Sequence, residues 1–435
     1  MREHIELSRQ LNQEVQNPIE VNFGHTNVHH EIPSNLSPFL TKPTQVIQMP
    51  TVITEALLEI TAEYNRVFSG LVKENLETDK AYQYAYNPET QEYINYGFQI
   101  DMRAIPESFF EILKNEEFET IKEVLKRCVF EWEDSFAMLN LLRLQFAENG
   151  ESVFSSNFDR IFDIIRFTHG KPIALLPSTH EKYQAILESE LGVKDRSEIS
   201  DSQIRRLLGY DTILSPLEYQ KMCETGRSNE YLLYVRSSIP TANLRNPNLE
   251  RPMTILDDPF LRTSILENSI TLNIGALNDT KRGMLGMGLG LRVDLDSFSD
   301  SERITHLMRK MCESYGLDTE LMRGRFKPLD EAFGCYGHET TKIPCTGKHK
   351  QKVKRHLKQM GDYIIQPEMP TTQFYMDGEI YNANHRNFVG YNLETQNYEP
   401  IDGTMFIQPH NHKARVQVVH GSRQSIVTRL NMQTK

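Results

Sequence analysis

The chain has 435 residues, 39% of them hydrophobic and 25% charged, with 23 Gly and 20 Pro. This is ordinary globular usage and excludes a collagen-like, fully disordered or coiled-coil protein, while the length allows about three units of roughly 150 residues. The net charge of −11 argues against bulk attraction to nucleic acid or an anionic membrane, yet Thr341 to Lys435 holds 13 Lys/Arg against 7 Asp/Glu, so that quarter suits an anionic ligand.

In chain order, residues 1–50 are polar and rich in Pro and Asn, which predicts an extended or partly disordered arm. The N-terminus shows no apolar signal-peptide core, and no stretch reaches the ~18 apolar residues of a membrane span. From Val52 to Leu76 apolar residues recur at helical spacing. Ala81–Tyr86 and Tyr93–Phe98 flank Asn87-Pro88 as a hairpin would, and Glu107–Ala147 reads as three helical stretches that include Trp132, the only tryptophan. Ser155–Thr168 reads as an amphipathic helix. The grammar then changes: the apolar runs Lys171–Pro177, Asp211–Leu214, Tyr231–Val235 and Ile270–Asn273 alternate with helical segments, as strands of a parallel sheet do. Met284–Leu291 is rich in Gly and Met and reads as a hinge, a lid or a loop packed over the core. Arg325–Lys327 and Tyr363–Gln366 read as strands around a basic helix, Lys350–Met360. The remainder is strand-like, with turns at Asp377-Gly378 and Asp402-Gly403.

The chemistry concentrates between Arg325 and Met369. Lys327 sits on a strand, Gly334 and Gly337 in a following turn, and Gln366-Pro-Glu368-Met369 on the exit from the next strand. A strand lysine can reach phosphates, glycines let a backbone approach charged oxygens, and an exit strand offers backbone groups to a base.

Phe326-Lys327-Pro328-Leu329-Asp330-Glu331, the glycine turn and Tyr363-Ile-Ile-Gln366-Pro-Glu368-Met-Pro370 together resemble the ATP-grasp superfamily, most nearly the glutathione-synthetase type of carboxylate–amine ligase. Upstream, Tyr234-Val-Arg236 and Thr271-Leu-Asn273 with Asn278-Asp-Thr-Lys281 match that family's strand ending in arginine, its Asn-Pro-type segment and its domain-opening lysine. The resemblance covers roughly residues 170 to 387. It implies an α/β protein with an arm (1–50), a mainly helical N-terminal region (51–169), a Rossmann-like domain (170–280) and an ATP-grasp-like nucleotide-binding domain (281–435). It further implies that Lys281 and Lys327 hold phosphates, that Gly334 and Gly337 cradle them, and that Gln366, Glu368 and Met369 border the adenine. Arg386 would face the γ-phosphate and Arg236 a substrate carboxylate. The cofactors implied are ATP and Mg²⁺, and the partners a carboxylate and an amine acceptor, with no nucleic acid or membrane.

The sequence departs from the family in its loop, which carries Phe, Cys and Tyr, and in having no Asp or Glu after Asp402. The metal ligands are therefore sought among Glu379, Glu394, Glu399 and Asp402, with Glu399 and Asp402 the assigned pair. A catalytically degenerate binding protein of the same fold is the alternative to an active ligase. The five cysteines, odd in number and sparse, form no disulfide framework and point to the cytoplasm. Cys335, His338, Cys345 and His349 approach the spacing of a Zn²⁺ knuckle but read as loop residues, because Cys-x2-His opens such a site less often than Cys-x2-Cys. His25, His29, His30, His410 and His412 read as solvated. Lys348–Lys358 is a basic helix with Val353 and Leu357 on one stripe, read as a solvated face beside an anion site.

Overall fold

A computed structural model describes residues 3–16, 19–20, 25–26, 42–43, 47–75, 97–133, 147–148, 151–152, 156–236, 255, 258–273, 280–320, 322–329, 339–376, 379–409 and 426–432. They form a mixed α/β structure built on three large sheets.

The first of these is parallel and follows from its composition. Its strands lie in the order Thr212–Ile213, Ile173–Pro177, Leu232–Arg236, Ser269–Asn273. All five residues of Ile173–Pro177 and of Leu232–Arg236 are buried, since helices cover both faces. Ile173, Leu175, Leu232 and Tyr234 point into one apolar cluster, and Ala174, Leu176, Leu233 and Val235 into another, the two-residue alternation of strand geometry. Local signals set the helices between them. Ser200 caps Asp201–Leu208 and Ser215 caps Pro216–Glu224, each in a reciprocal capping box. Gly209 ends the former at φ +81°, a conformation glycine adopts without a steric penalty.

The second sheet is antiparallel, in the order Leu291–Val293, Tyr363–Pro367, Arg323–Pro328, Glu339–Lys342. Helices Ser301–Ser314 and Gly347–Met360 pack on it through Ile304, Met308, Val353 and Leu357. The Val353/Leu357 stripe is thus the buried edge of the basic helix.

The third sheet has eight strands and gathers segments from both ends of the chain. Its spine is the hairpin Glu379–Asn392 and Asn397–Pro409, flanked by Ile426–Met432 and Thr372–Met376. Gly97–Arg103 pairs with residues 384–390 of that spine and with Val129–Glu133. Ile19–Glu20 and Ile47–Met49 lie at its edges. Helices Thr51–Asn75, Glu107–Leu113 and Phe118–Cys128 bury one of its faces in the largest core. Part of the opposite face, at Phe388 and Phe406, packs with helix Ser156–His169.

Several expectations change. The arm includes a helix, Glu3–Glu14, whose Leu7 and Leu11, with Val15, form a buried stripe at four-residue spacing. A narrow stripe suffices because helix Phe118–Cys128 and the core supply its other wall. Asn12 donates to the carbonyls of Tyr315 (2.9 Å) and Gly316 (3.0 Å) and accepts from Arg103, so this helix ties the antiparallel layer to the eight-stranded sheet. Trp132 lies on a strand, not a helix. Phe130-Glu-Trp-Glu133 alternates large apolar residues with Glu at a period of two. The glycine- and methionine-rich segment begins as helix Thr280–Gly286, packed on Thr51–Asn75. A Cβ on Gly283 would sit 2.6 Å from the Tyr64 ring, and one on Gly286 would sit 2.5 Å from Val67. These glycines permit a close helix crossing rather than a hinge. Asp402-Gly403 is no turn: it lies inside the strand Asn397–Pro409, beside a bulge where Phe388 pairs with Asp402 and Val389 with Pro400. The segments 81–86 and 93–96 and the turn Asp377-Gly378 lie outside the described residues.

Candidate functional site

The site is built around one rung of the eight-stranded sheet. Glu131, Asp101, Arg386 and Thr404 lie directly opposite one another on four neighbouring strands, so their side chains share one face. Arg386 grips Asp101 with two nitrogens, Nε to Oδ1 at 2.7 Å and Nη2 to Oδ2 at 2.5 Å. Its guanidinium also stands over the Phe406 ring, 5.3 Å from the centroid. Bidentate geometry and near-complete burial make this pair a fixed point of the structure.

Strand Arg323–Pro328 of the antiparallel sheet faces this rung. Lys327 is 3% exposed; its Nζ donates to the Phe130 carbonyl at 3.0 Å and meets Glu131 Oε2 at 3.3 Å. Arg325, two residues earlier on the same side, stands over the Phe130 ring. Lys281, in the first turn of Thr280–Gly286, is equally buried. Burial pulls the Lys327 ammonium below its ordinary pKa; Glu131 opposes that shift, and the nearby charges of Arg325 and Lys281 reinforce it. Burial likewise lowers Arg325. Burial raises the Asp101 carboxyl, against the pull of Arg386 and, more weakly, Lys327. The cluster thus brings Lys281, Arg325, Lys327 and Arg386 together with Asp101 and Glu131. Arg323 and Glu368 beside it neutralise each other.

The other expected residues distribute as follows. Gln366 pairs in register with Arg325, and its Nε2 donates to the Leu289 carbonyl at 3.2 Å. Glu368 is held by Arg323 through the ion pair and by its own N–H, which donates to the Arg323 carbonyl at 2.9 Å. Met369 is buried against Met311 and Tyr315. The segment after Gln366 is therefore braced beside Lys327's strand. Arg236 is buried at the carboxyl end of its parallel strand, level with Pro177 and Asn273; its carbonyl accepts from the Ser178 N–H at 3.0 Å. This is where the strand order reverses, the usual ligand edge of such sheets. Gly334 and Gly337 lie outside the described residues, as do Cys335 and His338.

Glu399 lies apart from this cluster. It pairs with Arg160 and accepts from Asn392 Nδ2 at 2.6 Å. Its rung opposite Gly390 is four residues from Arg386, about 13 Å at strand rise. Its carboxylate thus pairs with helix Ser156–His169, away from the cations. The Asp402 backbone pairs with Phe388, and its side chain lies outside the described residues, as does that of Glu379. Glu394 is exposed in the hairpin turn. Cys345 is buried in the antiparallel layer's core, its Sγ 3.4 Å from the Lys342 carbonyl, whereas His349 is exposed. No cluster of three His, Cys, Asp or Glu suited to a metal occurs among the described residues, and no helix there is long and apolar enough to cross a membrane.

Asp101, Glu131 and Arg325 were not singled out from the sequence. The alternation in Gly97–Arg103 and Val129–Glu133 signals strands with one polar face, but nothing local names the strand they join. Comparisons with family models, with curated proteins and with solved structures each return no match.

Proposed function

We propose that the cationic cluster binds the phosphates of ATP and that the protein is an ATP-dependent carboxylate–amine ligase of ATP-grasp type. The observation that carries this is the convergence of Lys281, Lys327 and Arg386, drawn from a helix and two different sheets, into one buried region. Further support comes from the antiparallel layer: Lys327 lies on its central strand, and the braced Gln366–Met369 segment leaves the neighbouring strand beside it.

In this reading Lys281, Arg325 and Lys327 bind phosphate oxygens, and Arg386 faces the γ-phosphate. Arg236, at the edge of the parallel sheet, orients the substrate carboxylate for in-line attack on the γ-phosphorus. The acyl phosphate and ADP result, and an amine then attacks the acyl carbon and expels phosphate. The residues contribute positioning and charge stabilisation, the main levers of phosphoryl transfer. Mg²⁺ would supply further neutralisation of the phosphates, and hard carboxylate oxygens beside the cations suit it.

A second reading, nucleotide binding without turnover, is favoured by one fact: Asp101, Glu131 and Glu399 are each engaged by a cation of the chain itself. Calorimetry with ATP tests what the two share. Lys327→Met should weaken binding by about tenfold or more, the worth of a charged hydrogen bond. Absence of ATP binding by the parent protein would sink both. ADP release dependent on a carboxylic acid and an amine would separate them.

A further inference from the structure

Helix Gly347–Met360 carries Lys348, Lys350, Lys352, Lys354, Arg355 and Lys358 and no Asp or Glu. That pattern works against the helix itself. Lys348/Lys352, Lys350/Lys354 and Lys354/Lys358 are like charges four residues apart, which destabilise a helix. Lys348 and Lys350 also stand near its N-terminus, the positive end of its dipole. Thr346, at the N-cap, makes no side-chain capping bond. The helix is held instead by Val353 and Leu357, which are buried in the core beneath it. In other helices cations find internal partners: Arg9 with Glu6, Lys114 with Glu111, Lys122 with Glu119 and Arg166 with Asp163. Here the side chains of Lys348, Arg355 and Lys358 have no hydrogen-bond or ion-pair partner among the described residues. Helix Leu295–Ser299 packs beside this one, but the acids at its ends act as caps. Asp294 accepts from the Ser297 N–H and Asp300 from the Arg303 N–H.

Lys348, Lys352, Arg355 and Lys358 are exposed, and their spacing of four, three and three places them along one side of the helix, over about 15 Å. We propose that this face docks an acidic segment of a partner protein, one that presents carboxylates at matching intervals. Negative charge brought by the partner offsets the repulsion among the lysines, and complementary charge sets its register. A bilayer fits less well, because a helix lying on one buries its apolar stripe there, and this stripe is already packed in the core. Nucleic acid fits less well too. The exposed face offers no aromatic ring for a base to stack on, and a long phosphate backbone would run on over a chain of net charge −11. A short acidic segment meets the basic face alone. The proposal stands apart from the nucleotide reading. Val353 and Leu357 pack with Phe326 and Ile365, on the side of the antiparallel sheet opposite Arg325 and Lys327.

The test is fluorescence anisotropy of a labelled polyglutamate peptide of about twelve residues, long enough to span the face as a helix, titrated with the full chain. The parent should bind it, and more weakly as salt rises, since exposed charges are screened. Lys348→Gln/Arg355→Gln/Lys358→Gln should weaken binding by about tenfold, the combined worth of three surface ion pairs. The melting temperature of that variant should not fall below the parent's, because the changes relieve like-charge contacts. Lys194→Gln/Lys221→Gln/Lys310→Gln removes the same charge from other exposed surfaces and should bind as the parent does. Equal losses in the two triple variants would reduce the attraction to bulk charge and overturn the docking face. Absence of peptide binding by the parent, or unchanged binding by the helix variant, would overturn it as well. Single-stranded RNA or phosphatidylserine vesicles held more tightly than the peptide, through the same three residues, would overturn the choice of partner.

Discussion

The two faces of strand Glu379–Asn392 solve the burial of polar groups in opposite ways. On one face Arg386 is buried, but Asp101 and the aromatic face of Phe406 surround it. On the other, His385 and Asn387 are equally buried under the helical layer, and neither finds a hydrogen-bond partner among the described residues. His385 instead lies against Phe110, with ring centroids 6.1 Å apart. A charge cannot be left so; a neutral imidazole or amide can, at a cost of about 1–3 kcal/mol each. One face is organised by electrostatics, and the other tolerates polar atoms because helix packing outweighs them.

The sharpest way to break this contrast is Arg386→Met. It strands Asp101 and should cost about 3–5 kcal/mol at neutral pH in a denaturant titration. Without Arg386, burial and the neighbouring Glu131, opposed by Lys327, hold the Asp101 folded pKa above the unfolded value. The destabilisation should therefore shrink on acidification, as the carboxyl becomes neutral.

The helical face should respond to acid with the other sign. Burial pushes His385 down to about 3, from 6.5 for a free histidine. The unfolded chain takes up this proton below pH 6.5 while the folded chain does not. Stability from His385 is thus full above 6.5 and falls by up to about 1.4 kcal/mol per pH unit between there and 3. His385→Phe should flatten that part of a stability–pH curve, and an unchanged slope would show that the ring gains a partner.

A smaller effect tests the link between the layers. Asn12→Ala removes two donated bonds and the acceptor for Arg103, and should cost about 1–3 kcal/mol. Gly316→Ala should behave alike. The residue has φ +65°, and its Cβ would come within 2.6 Å of the Arg9 backbone nitrogen. Faster hydrogen exchange in both helix Glu3–Glu14 and helix Ser301–Ser314 would confirm a shared contact.

The smallest expected change is Glu399→Gln. It loosens Arg160 and Asn392 at a partly exposed pair and should cost about 1 kcal/mol or less in a denaturant titration.

What the amino-acid order determined is the local grammar. The apolar run Ile173–Leu176, the capping serines Ser200 and Ser215 and the Val353/Leu357 stripe announce their elements, because helix and strand periods are properties of neighbouring residues. Lys327 on a strand and Gln366 ending the next are legible for the same reason. Helix Glu3–Glu14 was hidden by its polar surroundings, and Trp132 by the adjoining helical pattern. The site itself belongs to the tertiary structure. Asp101 meets Arg386 across 285 residues of chain, and Lys327 meets Glu131 across 196. Those pairings rest on strand register, and register is decided by which faces bury together, which no local pattern encodes.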